Sequence, residues 1–223
     1  MSTIVSYRAH AAVLLQHFGL APFRQILTPA DILGAALASG CAPKRRRVLV
    51  PETVVWLMLG VALHTSSMVQ GLALAWGWLA ASCGVARDRV SEEAFVQARQ
   101  RLKLGFWRRL WRMLAGKYER RFGAQLLWKG LRLLAVDGTH LDLPNVPTVA
   151  AYFGRHRSQK GVSRAPQARL VALCSVLTGF CFDFVFSSPR FSEQLALRHL
   201  IRRLRAGDLV LLDRGFFSLC RDT

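Results

Sequence analysis

The sequence predicts an α+β chain, with a helical amino-terminal domain over residues 1–130 and a mixed α/β domain over 131–223. Two observations carry this. Up to residue 122 the apolar residues recur at helical spacing. From residue 131 they gather into short runs without helical period, separated by Gly-containing turns and twice followed by Asp. A third observation concerns partners. Lys plus Arg number 31 against 13 Asp plus Glu, a formal net charge of +18. A chain this basic attracts polyanions, chiefly nucleic acid or an anionic membrane surface.

In the first half, the periodicity predicts helices over 5–17, 29–39, 51–63, 68–82, 92–104 and 106–122. Residues 42–47, with Pro43 followed by Lys44 and three arginines, read as a basic connecting loop, and Pro51 can open the next helix. Ser91 before Glu92 and Glu93 is a helix start: a capping hydroxyl, then acids near the positive end of the dipole. The apolar stretch from Val54 is broken at His64–Ser67. Neither half reaches the ~18–20 unbroken apolar residues that span a bilayer, so two buried helices are expected and no membrane span.

The segment 106–122 has two faces. Trp107, Leu110, Trp111, Leu114, Tyr118 and Phe122 form an apolar stripe, and Arg108, Arg109, Arg112 and Arg120 lie opposite. Between Arg87 and Arg132 there are 13 basic residues against 4 acidic ones. Any single arginine here reads as a solvated residue on a core helix. As a cluster, Arg99, Arg101, Lys103, Arg108, Arg109 and Arg112 are the candidates for contacts to DNA phosphates. The six tryptophans (56, 76, 78, 107, 111 and 128) fall in these runs and are expected to pack in the core.

In the second half, 133–136 is an apolar run that ends in Asp137-Gly138-Thr139. Residues 169–177 and 180–187 read as two strands joined tightly through Thr178-Gly179, a hairpin. A helix follows over 192–206 with Gly207 as its stop, then a strand over 209–212 that ends in Asp213-Arg214-Gly215-Phe216. Each Asp thus ends a run of the kind expected for a strand buried on both faces. Ligand sites in open α/β sheets gather at the carboxyl ends of strands. If these two strands are parallel neighbours, Asp137 and Asp213 meet at one edge. Paired acids repel unless a cation lies between them, and Mg²⁺ suits hard oxygen ligands. Other readings stay open, because Asp-Gly also makes turns and Asp-Arg can be a surface pair.

The remaining polar residues give no competing chemistry. The cysteines at 41, 83, 174, 181 and 220 form no CxxC pair, which points to free thiols in a reducing cytoplasm. The six histidines show no metal-binding spacing. Residues 1–10 lack the positive flank and apolar run of a signal peptide.

Several short motifs occur in a shared order: Asp137-Gly138-Thr139, Tyr152-Phe153-Gly154, Pro166–Leu173 (PQARLVAL), Glu193 opening a helix, and Asp213-Arg214-Gly215-Phe216. Upstream, Leu49–Leu57 (LVPETVVWL) and Val90–Leu102 with Ser91, Ala94-Phe95 and Gln97–Leu102 belong to the same set. In this order the sequence resembles DDE transposases of the insertion-element-four family. The resemblance implies an RNase H-like catalytic domain, incomplete here, that cuts and rejoins double-stranded DNA at insertion-element ends with Mg²⁺ or Mn²⁺. It implies that Asp137 is the first catalytic and metal-binding acid and Asp213 the second. The family's third acid is a Glu well after the second Asp. The expectation is therefore a truncated copy of a transposase, inactive by itself in transposition and recombination and able to join a homo-oligomer or a full-length partner. Glu193 precedes Asp213 and is expected only to favour the start of its helix. The rival readings are a catalytically inert DNA-binding fragment that acts as an inhibitor and a small basic membrane protein.

Overall fold

Two helix starts in the first half are set by hydroxyl caps, those of Thr28 and Ser91. The computed structural model describes residues 20–42, 48–63, 67–83, 90–155, 157–158 and 161–216, so the helix expected over 5–17 and most of the basic loop at 42–47 lie outside the described residues. The chain divides into two compact units, residues 1–117 and 118–223.

In the amino-terminal unit a short helix α1 (Ala21–Arg24) precedes α2 (Pro29–Ala38). The Thr28 hydroxyl accepts from the Asp31 N–H, and the Asp31 carboxylate accepts from the Thr28 N–H, a reciprocal capping box. Next come α3 (Pro51–Leu63), α4 (Met68–Cys83), α5 (Glu92–Arg101) and α6 (Leu104–Phe122). Ser91 caps α5 by accepting from the Ala94 N–H. The periodicity predicts one helix over 92–104, but α5 stops at Arg101. Leu102 turns extended and buries its side chain, and α6 starts at Leu104.

The core of this unit gathers Leu20, Ile32, Val54, Leu57, Phe95 and Phe106. Helices α3 and α4 approach closely at Gly60, where an added Cβ would stand 2.3 Å from the Ala75 Cβ. Among the described residues no helix is long and apolar enough to cross a membrane.

The carboxy-terminal unit is built on one sheet of five strands: β1 (Leu127–Trp128), β2 (Leu131–Asp142), β5 (Gln167–Ser175), β6 (Cys181–Ser187) and β7 (Asp208–Leu212). β2, β5 and β6 form an antiparallel meander, and β7 returns parallel to β2. The return runs through helix α8 (Glu193–Ile201), whose Ser192 cap accepts from the Leu195 N–H. Two shorter pieces fill the β2–β5 connection: helix α7 (Pro147–Phe153) and the small ribbon of β3 (Arg157–Ser158) with β4 (Gly161–Val162). A turn with Gly179 at φ +68° closes the β5–β6 hairpin, a conformation that a residue with a Cβ rarely adopts.

Four expectations change here. The strand foreseen over 133–136 runs on to Asp142, because β5 keeps pairing with it after β7 has stopped at Val136. Burial along β2 alternates, with Arg132, Leu134 and Val136 inside, so the strand is covered tightly on one face rather than on both. The helix foreseen over 192–206 stops at Ile201, and Gly207, at φ +89°, turns the chain into β7 instead. Trp128 lies on β1 at 45% exposure, with the Lys129 ammonium 4.9 Å from its ring centre, rather than in a helical core.

The tightly covered face packs on α8: Leu134, Val136, Val171 and Leu173 meet Ala196, Leu197 and Leu200. At the other end of the strands Arg132 joins β2 to β7. Its Nε donates to Asp208 Oδ1 at 2.7 Å and its second amine to Oδ2 at 2.6 Å. Arg132 also donates to Glu119, which takes a further bond from Arg205 at 2.7 Å. The Tyr118 ring stacks on Phe180, with centres 3.9 Å apart.

Candidate metal centre

The register of β2 against β7 positions the two sequence-derived acids. Leu134 stands opposite Val210 and Val136 opposite Leu212, in parallel. Asp137 and Asp213 are the next residue of each strand, so they lie side by side where the parallel pairing ends. Side chains alternate along a strand. Val136 and Leu212 face α8, so Asp137 projects from the opposite face of the sheet, and the alternation of β7 carries Asp213 to that face as well.

Both carboxylates are exposed. Asp137 Oδ1 accepts from the Gly138 N–H at 2.7 Å, and Asp213 Oδ1 accepts from the Arg214 N–H at 2.5 Å. Among the described residues no Lys or Arg forms an ion pair with either. In a chain with 31 basic residues, two neighbouring acids left without a cationic partner have lone pairs available for a cation from solution. Hard carboxylate oxygens fit Mg²⁺ or Mn²⁺, and Mg²⁺ commonly binds through one or two carboxylates while keeping several waters. Among the described residues no group of three His, Cys, Asp or Glu side chains stands close enough to hold an ion together, so this edge offers a pair of acids.

Glu193 occupies the other face. Its Oε1 would lie 3.2 Å from a Cβ on Gly138, and it stands 3.6 Å from Arg169 Nε. Gly138 and Arg169 both belong to the face that α8 covers, Gly138 opposite Val171 and Arg169 opposite His140. The Arg169 guanidinium also donates to the Phe191 carbonyl at 2.7 Å and lies 3.5 Å from His140 Nε2. Sequence reading gives Glu193 the helix start only. It misses the approach of Glu193 to Gly138, for which a glycine directly after Asp137 is the available signal. The remaining acids of the unit have local partners: Asp142 accepts from Gln167, and Asp183 from Arg203. Asp222 lies outside the described residues.

The candidate DNA-contacting residues belong to the amino-terminal unit. Arg99 and Arg101 end α5, Lys103 lies in the link, and Arg108, Arg109 and Arg112 lie on α6. All six are exposed, and among the described residues none forms an ion pair with an acid.

Comparison with known proteins finds similarity to one family. The family described as "Insertion element 4 transposase N-terminal" matches residues 19–112. "Transposase InsG for insertion sequence element IS4" of Escherichia coli (strain K12) is 28% identical over 190 residues, covering 85% of this chain and 42% of that protein. "Putative transposase InsZ" of the same organism is 27% identical over 181 residues, covering 81% of this chain and 58% of that protein. The chain therefore spans roughly half the length of these curated relatives. No solved structure matches it. The helical region that matches the family model and the relatives' similarity across both units agree: the chain is similar to the transposases of the insertion-element-four family.

Proposed function

We propose that this chain contributes to metal-dependent cleavage and strand transfer of DNA at insertion-element ends, with Asp137 and Asp213 as metal-binding acids of a DDE-type site. The observation that supports the proposal is the parallel register of Val136 with Leu212, each of which is followed directly by one of the two acids. A meander followed by a helical return to a strand parallel with its first member supports the RNase H-like domain that the resemblance implies. Domains 1–130 and 131–223 then divide the work between DNA binding and chemistry.

When bound, a divalent ion would supply activation of water or a 3′-hydroxyl and stabilisation of the leaving oxygen. The chain's own part is to hold two carboxylates at the strand ends and to keep basic side chains off them. Arg99, Arg101, Lys103, Arg108, Arg109 and Arg112 hold duplex DNA through its phosphates. A second reading, DNA occupancy without cleavage, draws on the pair of acids found at this edge among the described residues, where DDE chemistry uses three.

The test is Mn²⁺ binding followed by electron paramagnetic resonance, together with nicking of element-end DNA. The expected result is Mn²⁺ binding that is lost in Asp137→Ala and in Asp213→Ala while DNA affinity persists. Equal Mn²⁺ binding by parent and both variants would overturn the site. Metal binding without nicking would favour the occupancy reading.

A further inference from the structure

Cys174 and Cys181 stand directly opposite each other across the β5–β6 hairpin. The Ser175 N–H donates to the Phe180 carbonyl at 2.8 Å. In an antiparallel ladder the bonded pairs alternate with unbonded ones, so the adjacent Cys174–Cys181 pair is of the unbonded kind, with Cα atoms about 4.5 Å apart and side chains close together. That spacing falls at the short end of the ~4.4–6.8 Å range that a disulfide spans. Paired residues of a ladder project to the same face, and both thiols are free and half-buried, within reach of a small oxidant.

We propose that Cys174 and Cys181 form a reversible dithiol–disulfide site, oxidised by a small peroxide and reduced by a cellular dithiol. The Cys181 thiol donates to the Asp183 carbonyl at 3.4 Å. With its proton engaged there, Cys181 takes the resolving role and Cys174 the attacking one.

In the first step the Cys174 thiolate attacks a peroxide oxygen and the O–O bond breaks. A sulfenic acid forms on Cys174, and the departing hydroxide takes up a proton and leaves as water. In the second step the Cys181 sulfur attacks Cys174, the S–O bond breaks, and the sulfenic oxygen leaves as water with the Cys181 proton. The two thiols lose two electrons in total, and hydrogen peroxide is reduced to two waters. A reductant dithiol restores both thiols by exchange.

The ring closed between residues 174 and 181 is short, so the crosslink gains little through chain entropy. Its effect is local. It pins the hairpin beside the bulge at Leu173 and Cys174.

The test treats the whole chain with hydrogen peroxide, blocks the remaining thiols with N-ethylmaleimide and maps non-reduced peptides by mass spectrometry. The expected product is one peptide pair joined through Cys174 and Cys181 within a single chain, lost on treatment with dithiothreitol. In Cys181→Ser the expected product is a sulfenic acid on Cys174 that dimedone traps. The proposal is overturned if both cysteines remain alkylated while other cysteines oxidise, or if Cys174 crosslinks only between chains. Mapping of the parent chain decides the matter even where a serine variant fails to fold.

Discussion

Arg132 grips Asp208 with two hydrogen bonds, of 2.7 and 2.6 Å, and the two side chains are only 9% and 3% exposed. The pair ties the first residue of β7 to the second residue of β2, opposite which it stands in the register. It acts at the start of the parallel pairing that ends at Val136 and Leu212, one residue before Asp137 and Asp213. The guanidinium is thus a register clamp for the candidate site at the far end of the same strands.

The clamp gives the first prediction. Arg132→Ala leaves a buried carboxylate without its cation and should cost about 3–5 kcal/mol in urea unfolding. Exchanging the pair for apolar residues, Arg132→Met with Asp208→Leu, should recover most of that loss, because the penalty comes from the orphaned charge. Equal destabilisation in the single and the double variant would show that the clamp contributes chiefly through its bonds.

Two glycines of neighbouring helices should respond oppositely. A Cβ at Gly60 would stand 2.3 Å from the Ala75 Cβ and 3.2 Å from the Gly71 carbonyl oxygen, so Gly60→Ala forces α3 and α4 apart. The expected cost is about 1–3 kcal/mol, in the range for overpacked cores. Gly77 lies exposed on α4 with nothing within 4 Å of an added Cβ. Gly77→Ala should stabilise by about 0.5–1 kcal/mol through helix propensity. Thermal melts of the two variants check both signs.

The acid side of the stability curve should depend on Asp31. Burial raises its pKa, but hydrogen bonds from Lys117 and from Thr28 outweigh this and hold the carboxyl below its ordinary value. A folded pKa below the unfolded one gives stability that is fully present above the unfolded value, about 3.9. That stability is lost as the pH falls through the lowered folded value. Between pH 5 and 7 the Asp31 contribution should therefore stay level and then decline on acidification. Asp31→Asn should flatten the acid-side slope in unfolding measured from about pH 5 to about pH 2. An unchanged slope would rule Asp31 out as a source of that acid sensitivity.

The basic face of α6 should reveal itself through salt. If Arg108, Arg109 and Arg112 meet phosphates, replacing all three with Ala should weaken duplex binding. The plot of log affinity against log salt should also become shallower by roughly 0.9 for each phosphate that is no longer neutralised. Fluorescence anisotropy with a labelled duplex across a salt series measures both quantities. An unchanged slope would mean that these arginines only solvate the helix.

The amino acid sequence by itself determines the features whose causes are local. Thr28 and Ser91 start helices because their hydroxyls satisfy backbone N–H groups within three residues, and Thr178-Gly179 turns a hairpin because Gly179 takes a positive φ. The family resemblance is legible for the same reason, in short motifs of fixed order, and the relatives bear it out. What only the tertiary structure decided are pairings between distant segments. Apolar runs at 133–136 and 209–212 do not announce which strand each will join, and the length of β2 depends on β5 continuing beside it to Asp142. Alternation of side chains then separates Glu193 from Asp137 across the sheet, a distinction that chain order cannot express. Cys174 and Cys181 show no motif spacing, yet the β5–β6 register makes them partners. The reason is common to all of these: a cap or turn is a contact of a few residues, whereas register is set by the burial of whole faces against one another.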